Sequence, residues 1–163
     1  MSENTSEKKK GKGILGTLLC AVLGAGATAL FLQFYCFQNI AGQSMENTYH
    51  EGDVVIFRLD EEGKWNAPLI KRVIAKGGDS LDIDFETGEV RRNGELLDEP
   101  YIKTPTTLDE GGFTYPITIP DGCLFCMGDN RNDSKDSRSP DVGFVPESAV
   151  KGIVKWKLPK WLT

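Results

Sequence analysis

The chain has 163 residues, 39% of them apolar, and a formal net charge of −5. That length supports about one domain, and the acidic balance argues against nucleic acid as a partner, which needs a basic stripe. The charge is also unevenly spread: Lys8, Lys9, Lys10 and Lys12 cluster near the start, and residues 13–45 carry no charge at all.

Residues 14–37 read ILGTLLCAVLGAGATALFLQFYCF. A run of that length can cross a hydrocarbon core, which takes about 20 apolar residues. The competing reading, a cleavable secretory signal, has an apolar region of typically about 7–15 residues. The expected organisation is a basic cytoplasmic tail over residues 1–12, a transmembrane helix over 13–38 and an extracytoplasmic domain over 39–163. The lysines on the N-terminal side put the N-terminus in the cytoplasm. The protein is thus expected to be single-pass in the cell membrane, with the lipid bilayer as a partner. Ala21, Ala25 and Ala29 form a small-residue ridge, a common feature of single spans that carries little weight.

After the span the pattern turns to strands. DVVIFRL (residues 53–59) and PLIKRVIA (68–75) are rich in β-branched residues. In LDIDFETGEVRRNGELL, Leu81, Ile83 and Phe85 alternate with Asp82, Asp84 and Glu86, a half-buried strand pattern. Thr87-Gly88 and Asn93-Gly94 supply tight turns, the second a type I′ hairpin signal. Residues 101–122, with Pro105, Pro116, Pro120 and Gly111-Gly112, read as a looping connection or edge. GCLFCM and KGIVKWKL add two further strands. The expected fold is mainly β: a small antiparallel domain tethered by one N-terminal transmembrane helix, with no helix outside the membrane.

Cysteine gives no framework. Cys20 and Cys36 lie in the apolar run, and Cys123 and Cys126 in one strand point to opposite faces, too far apart to bridge. A zinc site needs a second pair or histidines, and His50 is the single histidine. The acidic trio on the meander reads as a solvated face. The segment 128–138, GDNRNDSKDSR, glances at a calcium loop but has Arg131 at the third position and no glycine at the sixth. No metal and no cofactor are expected.

Three places carry chemistry. Ser44, in AGQSMENTYHEGD, follows the span closely, so at roughly 3.5 Å per residue it stays within about 20 Å of a membrane surface. Gly42 permits close backbone approach there, and Met45 offers an apolar wall. Alternation in PLIKRVIA places Leu69, Lys71 and Val73 on one face and Ile70, Arg72 and Ile74 on the other. A lysine set against apolar surroundings loses affinity for its proton and becomes a usable base, which arginine cannot. His50, in a turn beside Glu51-Gly52-Asp53, reads as a surface residue. Residues 128–138 place many hydrogen-bonding groups at the end of an apolar strand, more than a solvated turn needs.

Taken in order, GQSM-x-x-T around Ser44, GDVVIF at 52–57 with KRVIAKGGD at 71–79, and GDNR-x-x-S-x-DSR at 128–138 resemble the type I signal peptidases in their compact Gram-positive-like form. The resemblance implies a serine endopeptidase that removes N-terminal signal peptides from secreted preproteins. Ser44 would be its nucleophile and Lys71 its general base. Ser134 would hydrogen-bond the lysine, and Asp136 and Arg138 would form a bracing ion pair. Asp129, Asn130 and Arg131 would shape the same loop, while Gly42, Gln43 and Met45 would border the substrate and oxyanion. The implied substrates carry small residues at the first and third positions before the cut. Because Gly42 lacks a hydroxyl, an oxyanion would depend on backbone N–H groups, chiefly that of Ser44.

Two positions depart from the family pattern. Asn47 stands where proline is common, which suggests a less rigid turn after the nucleophile. Lys76-Gly77 stands where an apolar residue and proline are frequent, which suggests a more flexible loop after the base strand. Two other readings exist. A self-cleaving Ser/Lys peptidase like the DNA-damage repressors is disfavoured by the span and the lack of a DNA-binding region. A silent membrane-anchored binding module is disfavoured by the joint presence of Ser44, Lys71 and Ser134.

Overall fold

The computed structural model describes residues 3–59 and 69–162, so Pro68, the first residue of the second expected strand, lies outside the described residues. The chain divides into Met1–Cys36 and Phe37–Thr163. The first unit is helix α1, Glu3–Phe34. Its apolar stretch, Gly16–Phe34, has 19 residues, about 28 Å at 1.5 Å per residue, long and apolar enough to cross a membrane. The side chains of the lysine cluster lie outside those described. The helix starts earlier than residue 13 and ends before residue 38, because residues 35–39 adopt strand β1.

The second unit is built from short strands. They are β2 Val54–Leu59, β3 Arg72–Lys76, β4 Ser80–Asp84, β5 Glu89–Arg92, β6 Glu95–Leu96, β7 Ile117–Thr118, β8 Cys123–Met127, β9 Val145–Pro146 and β10 Gly152–Lys157. They form three sheets, ordered β1-β2-β10, β3-β8-β9 and β6-β5-β4-β7. The mainly β, antiparallel fold is as expected. Two single 3-10 turns, Glu147–Ala149 and Lys160–Leu162, are helical pieces that the sequence pattern is too short to announce.

The meander follows its alternation. Leu81 and Ile83 are buried while Asp82 and Asp84 face water, and Ile83 pairs across the ladder with Val90. Asn93 and Gly94 have φ of 55° and 81°, the left-handed pair that a type I′ turn needs. The core lies between this sheet and β3-β8, where Ile74, Leu81, Val90, Ile119, Phe125 and Met127 meet. A bulge between Val73 and Ala75 breaks the alternation of β3, so Ile74 and Ala75 are both buried whereas Val73 is exposed. Leu69 and Val73 are open to solvent and line the same groove as Lys71.

The loop after β3 is firmer than its glycines suggest. A Cβ on Gly77 would lie 2.9 Å from the Asp121 Cα and 3.0 Å from the Pro120 carbonyl oxygen. Gly78 N–H donates to the Ile119 carbonyl at 2.9 Å, and Lys76 N–H to Asp79 at 3.0 Å. Lys76-Gly77 therefore serves close packing against residues 120–122.

Candidate active site

Ser44 sits in a loop closed at its base. Ile40 N–H donates to the Asp53 carbonyl at 2.8 Å, and Gly52 N–H returns a bond to the Ile40 carbonyl at 2.9 Å. Gly52 at φ 83° makes that return possible. Asp53 is buried, accepting from the His50 N–H at 2.9 Å and from Lys157 Nζ at 3.1 Å. These two partners, the His50 N–H foremost, hold its carboxyl below the usual range. The His50 ring is itself exposed, as expected. Within the loop, Gly42 is exposed at φ 79°, Met45 is buried, and Ser44 is half-buried. Asn47 donates to the Ile102 carbonyl at 3.3 Å, so the turn has a tether of its own.

Lys71 lies immediately before β3 and opens onto a groove of about 850 Å³. Met45, Leu69, Val73, Leu124, Cys126 and Val142 contribute to its walls. The Lys71 Nζ donates to Ser134 Oγ at 2.9 Å. Burial against these apolar walls lowers its pKa from the ordinary lysine value; Asp136 pulls the other way and the Arg138 charge adds to the lowering. Among the described residues no hydrogen bond joins Lys71 to Ser44, and the Ser44 hydroxyl and N–H make none. Cys126, on the same wall, has its thiol pushed up to about 11 by burial, which keeps it a neutral filler.

Residues 128–138 bring these parts together. Gly128 stands where a Cβ would overlap the Ser134 side chain and come within 2.5 Å of the Ser44 carbonyl oxygen. Only glycine fits between the two serines. Asn130 clips the Ser44 loop twice, its N–H donating to the Ser44 carbonyl at 3.0 Å and its Nδ2 to the Gln43 carbonyl at 3.2 Å. Much of the loop is buried although almost wholly polar: Asp129, Arg131 and Ser137 are fully inaccessible and Asp136 and Arg138 nearly so, while Asn132, Asp133 and Lys135 face water. Such burial demands full pairing, and each buried charge has it. Arg138 binds Asp136 in a fork, both contacts at 2.9 Å, and Asp136 also accepts from the Gly128 N–H at 2.9 Å. Burial alone would raise the Asp136 carboxyl; the Arg138 bonds and charge outweigh it and hold the group low.

Several partners of this loop were not assigned to it by the sequence pattern. Arg72 forks onto Asp129 at 2.7 and 2.8 Å, and Thr48 also donates to that carboxylate. The Arg72 guanidinium stacks 3.7 Å above the Tyr101 ring. Arg131 forks onto Glu99 at 2.6 and 2.9 Å and donates to Thr106 at 2.8 Å. The alternation of PLIKRVIA did separate Lys71 from Arg72. It could not show that the second cation braces the site that the first one opens onto.

The family model described as signal peptidase, peptidase S26 matches residues 47–161. The chain belongs to that family. The chain is 29% identical to signal peptidase I of Bacillus licheniformis, over 93% of this chain and 91% of that protein. It is 27% identical to signal peptidase I S of Bacillus subtilis, over 95% and 92% respectively. It is also 34% identical to the probable signal peptidase I-2 of a Synechocystis species; there the match takes in 67% of this chain and spans about half, 49%, of the longer relative.

Proposed function

We propose that the protein is a membrane-bound serine endopeptidase that removes signal peptides from secreted preproteins, with Ser44 as nucleophile and Lys71 as general base. The observation that carries this reading is the Lys71 amine, bonded to Ser134 at 2.9 Å and depressed in pKa by its apolar groove. Neutral Lys71 takes the Ser44 proton as Oγ attacks the last carbonyl carbon of the signal peptide. The oxyanion is met by the Ser44 N–H. The lysine then gives its proton to the leaving amine. Lys71, neutral again, then takes a proton from water as the water oxygen attacks the acyl carbon, and passes it to Ser44 Oγ as the acyl group leaves.

Ser134 aims the lysine, the Asp136–Arg138 pair fixes Ser134 and Gly128, and Asn130 holds the nucleophile loop. The other flanking roles stay with Met45, which lines the groove, with Gln43 beside the nucleophile, and with Asp129 and Arg131, which lock the loop. A peptide lying extended in the groove shows alternate side chains to one wall, which suits small residues at the first and third positions before the cut. The lysines before residue 13 support an N-terminus in the cytoplasm and a catalytic domain outside.

The test uses the full chain in detergent with a preprotein substrate. Cleavage after a small residue, lost in Ser44→Ala and in Lys71→Met, is expected. A parent that leaves the preprotein intact, or a Lys71→Met variant that cleaves at the parental rate, refutes the reading. For orientation, an external protease on intact cells should digest residues beyond 53; their complete protection beside a digested external protein refutes it.

A further inference from the structure

Glu110 lies in the connection between β6 and β7, far from every motif that marks the site, yet its carboxylate faces the catalytic loop. Glu110 Oε1 stands 3.7 Å from an Arg138 Nη2 that is already committed to Asp136, and its side chain is only 16% exposed. The surrounding backbone holds it there. Gly112 N–H donates to the Arg138 carbonyl at 3.0 Å, and Arg138 Nη1 donates to the Leu108 carbonyl at 3.3 Å. At Gly112 a Cβ would overlap the Arg138 carbonyl, so only glycine lets the strand of chain approach this closely. One buried arginine is thus shared by two carboxylates, and one of them, Asp136, lines the same groove as Lys71.

We propose that Glu110 is a positioning residue that acts through Arg138 to govern the protonation of Lys71. The inference rests on the proposed role of Lys71 as general base and names a regulator of that base. The charge balance carries it. Asp136 neutralises Arg138, so an ionised Glu110 leaves the cluster one negative charge in excess, and that excess favours a charged Lys71. A neutral residue at 110 leaves the pair balanced and favours the free amine. The charged groups acting on Lys71 are Asp136, Arg138, Glu110 and Asp129; those acting on Glu110 are Arg138, Asp136, Lys135 and Lys71. Lys135 is engaged by Asp141 at 2.6 Å on the surface, and Asp129 is engaged by Arg72. Of the charges acting on Glu110, Arg138 comes first. Burial raises the Glu110 carboxyl, as expected for a carboxylate held against a partner that another group already satisfies.

The experiment measures two curves on the full chain in detergent: preprotein cleavage rate against pH, and the rate at which the Lys71 amine is reductively methylated against pH, read by mass spectrometry. Glu110→Gln and Glu110→Ser both remove the charge, and whichever keeps the parental melting transition is read; Glu110→Asp retains it. The expected result is that both curves move to lower pH by roughly half a unit or more in the uncharged variant, while Glu110→Asp stays near the parent. Curves that coincide with the parent, or that move to higher pH, overturn the proposal. So does an equal shift in Glu110→Asp, which would trace the effect to shape and not charge. A parent without cleavage would refute the proposed function alone, because the methylation curve still reports on Glu110.

Discussion

Two parts of the β unit are similarly rich in charge and opposite in fate. Along the meander, Asp82, Asp84 and Glu86 stand in water while only their apolar neighbours are buried. Across residues 128–138 the charges of Asp129, Arg131, Asp136 and Arg138 are buried, and each is matched by a fork or a backbone donor, while Asp133 and Lys135 face water. The lesson is that charge content says little until pairing is known. A solvated carboxylate needs no partner, whereas a buried one keeps its position only with several. The meander is therefore tolerant, and the buried loop is a rigid frame on which Ser44 and Lys71 are hung.

The sharpest way to break that contrast is to remove one member of the frame. Ser134→Ala deletes the hydroxyl that Lys71 donates to. A misaimed base should lower turnover by about 10²–10⁴-fold, with a stability loss of only about 0.5–1.5 kcal/mol for one neutral hydrogen bond. Asp136→Ala should do the reverse in emphasis. It leaves the buried Arg138 with only the more distant Glu110 carboxylate, at 3.7 Å, and should cost up to roughly 3–5 kcal/mol. Thermal melting and preprotein cleavage, measured on both variants, separate aiming from bracing. Parental turnover in Ser134→Ala, or parental melting in Asp136→Ala, would remove the respective role.

A gentler perturbation is pH, and the two groups respond in different ranges. Lys71 has its pKa lowered from 10.5 by burial, so the cleavage rate should rise with pH through a value below the ordinary lysine one. A flat rate from neutral to alkaline pH would contradict a lysine base. Asp136 has its carboxyl lowered from 3.8, with Arg138 outweighing burial. A group depressed in the folded state contributes stability above its unfolded value of about 3.9 and loses it as pH falls through the folded value. Asp136→Asn removes that titration. The melting-temperature gap between parent and Asp136→Asn should hold from neutral pH to about 4 and narrow below it.

How much of this was legible beforehand follows from the range of each interaction. The meander and the Asn93-Gly94 turn are local patterns of two or a few residues, and they are where the sequence places them; the helix around the apolar stretch runs over Glu3–Phe34 instead of 13–38. The importance of residues 128–138 was also legible, because its motif is dense. What the pattern could not supply is the partner list: Arg72, Thr48, Glu99 and Thr106 reach the loop across 25 or more positions, and no periodicity encodes a long-range fork. The bulge in β3 was hidden for the same reason, since it is defined only against β8. Gly77 shows the converse error. Two adjacent glycines suggest looseness, but the chain that fills the space beside Gly77 lies at residues 120–122.

The smallest expected effect tests the tolerant side of the contrast. Asp82 pairs in register with Arg91 across β4 and β5, so a cross-strand ion pair is the obvious role for it. Yet the Arg91 guanidinium is bonded to Glu89 at 2.7 Å, and both of those side chains are more than 40% exposed. An arginine already engaged in water offers Asp82 little, and a screened surface pair is worth little in any case. Asp82→Asn should therefore change stability by no more than about 0.5 kcal/mol and leave cleavage unaltered, as read by melting at neutral pH and by turnover on a preprotein. A loss above about 2 kcal/mol would mean that Asp82 is paired and covered in the working protein. The meander would then be a second buried polar frame, and the division between its wet face and the catalytic loop would fail.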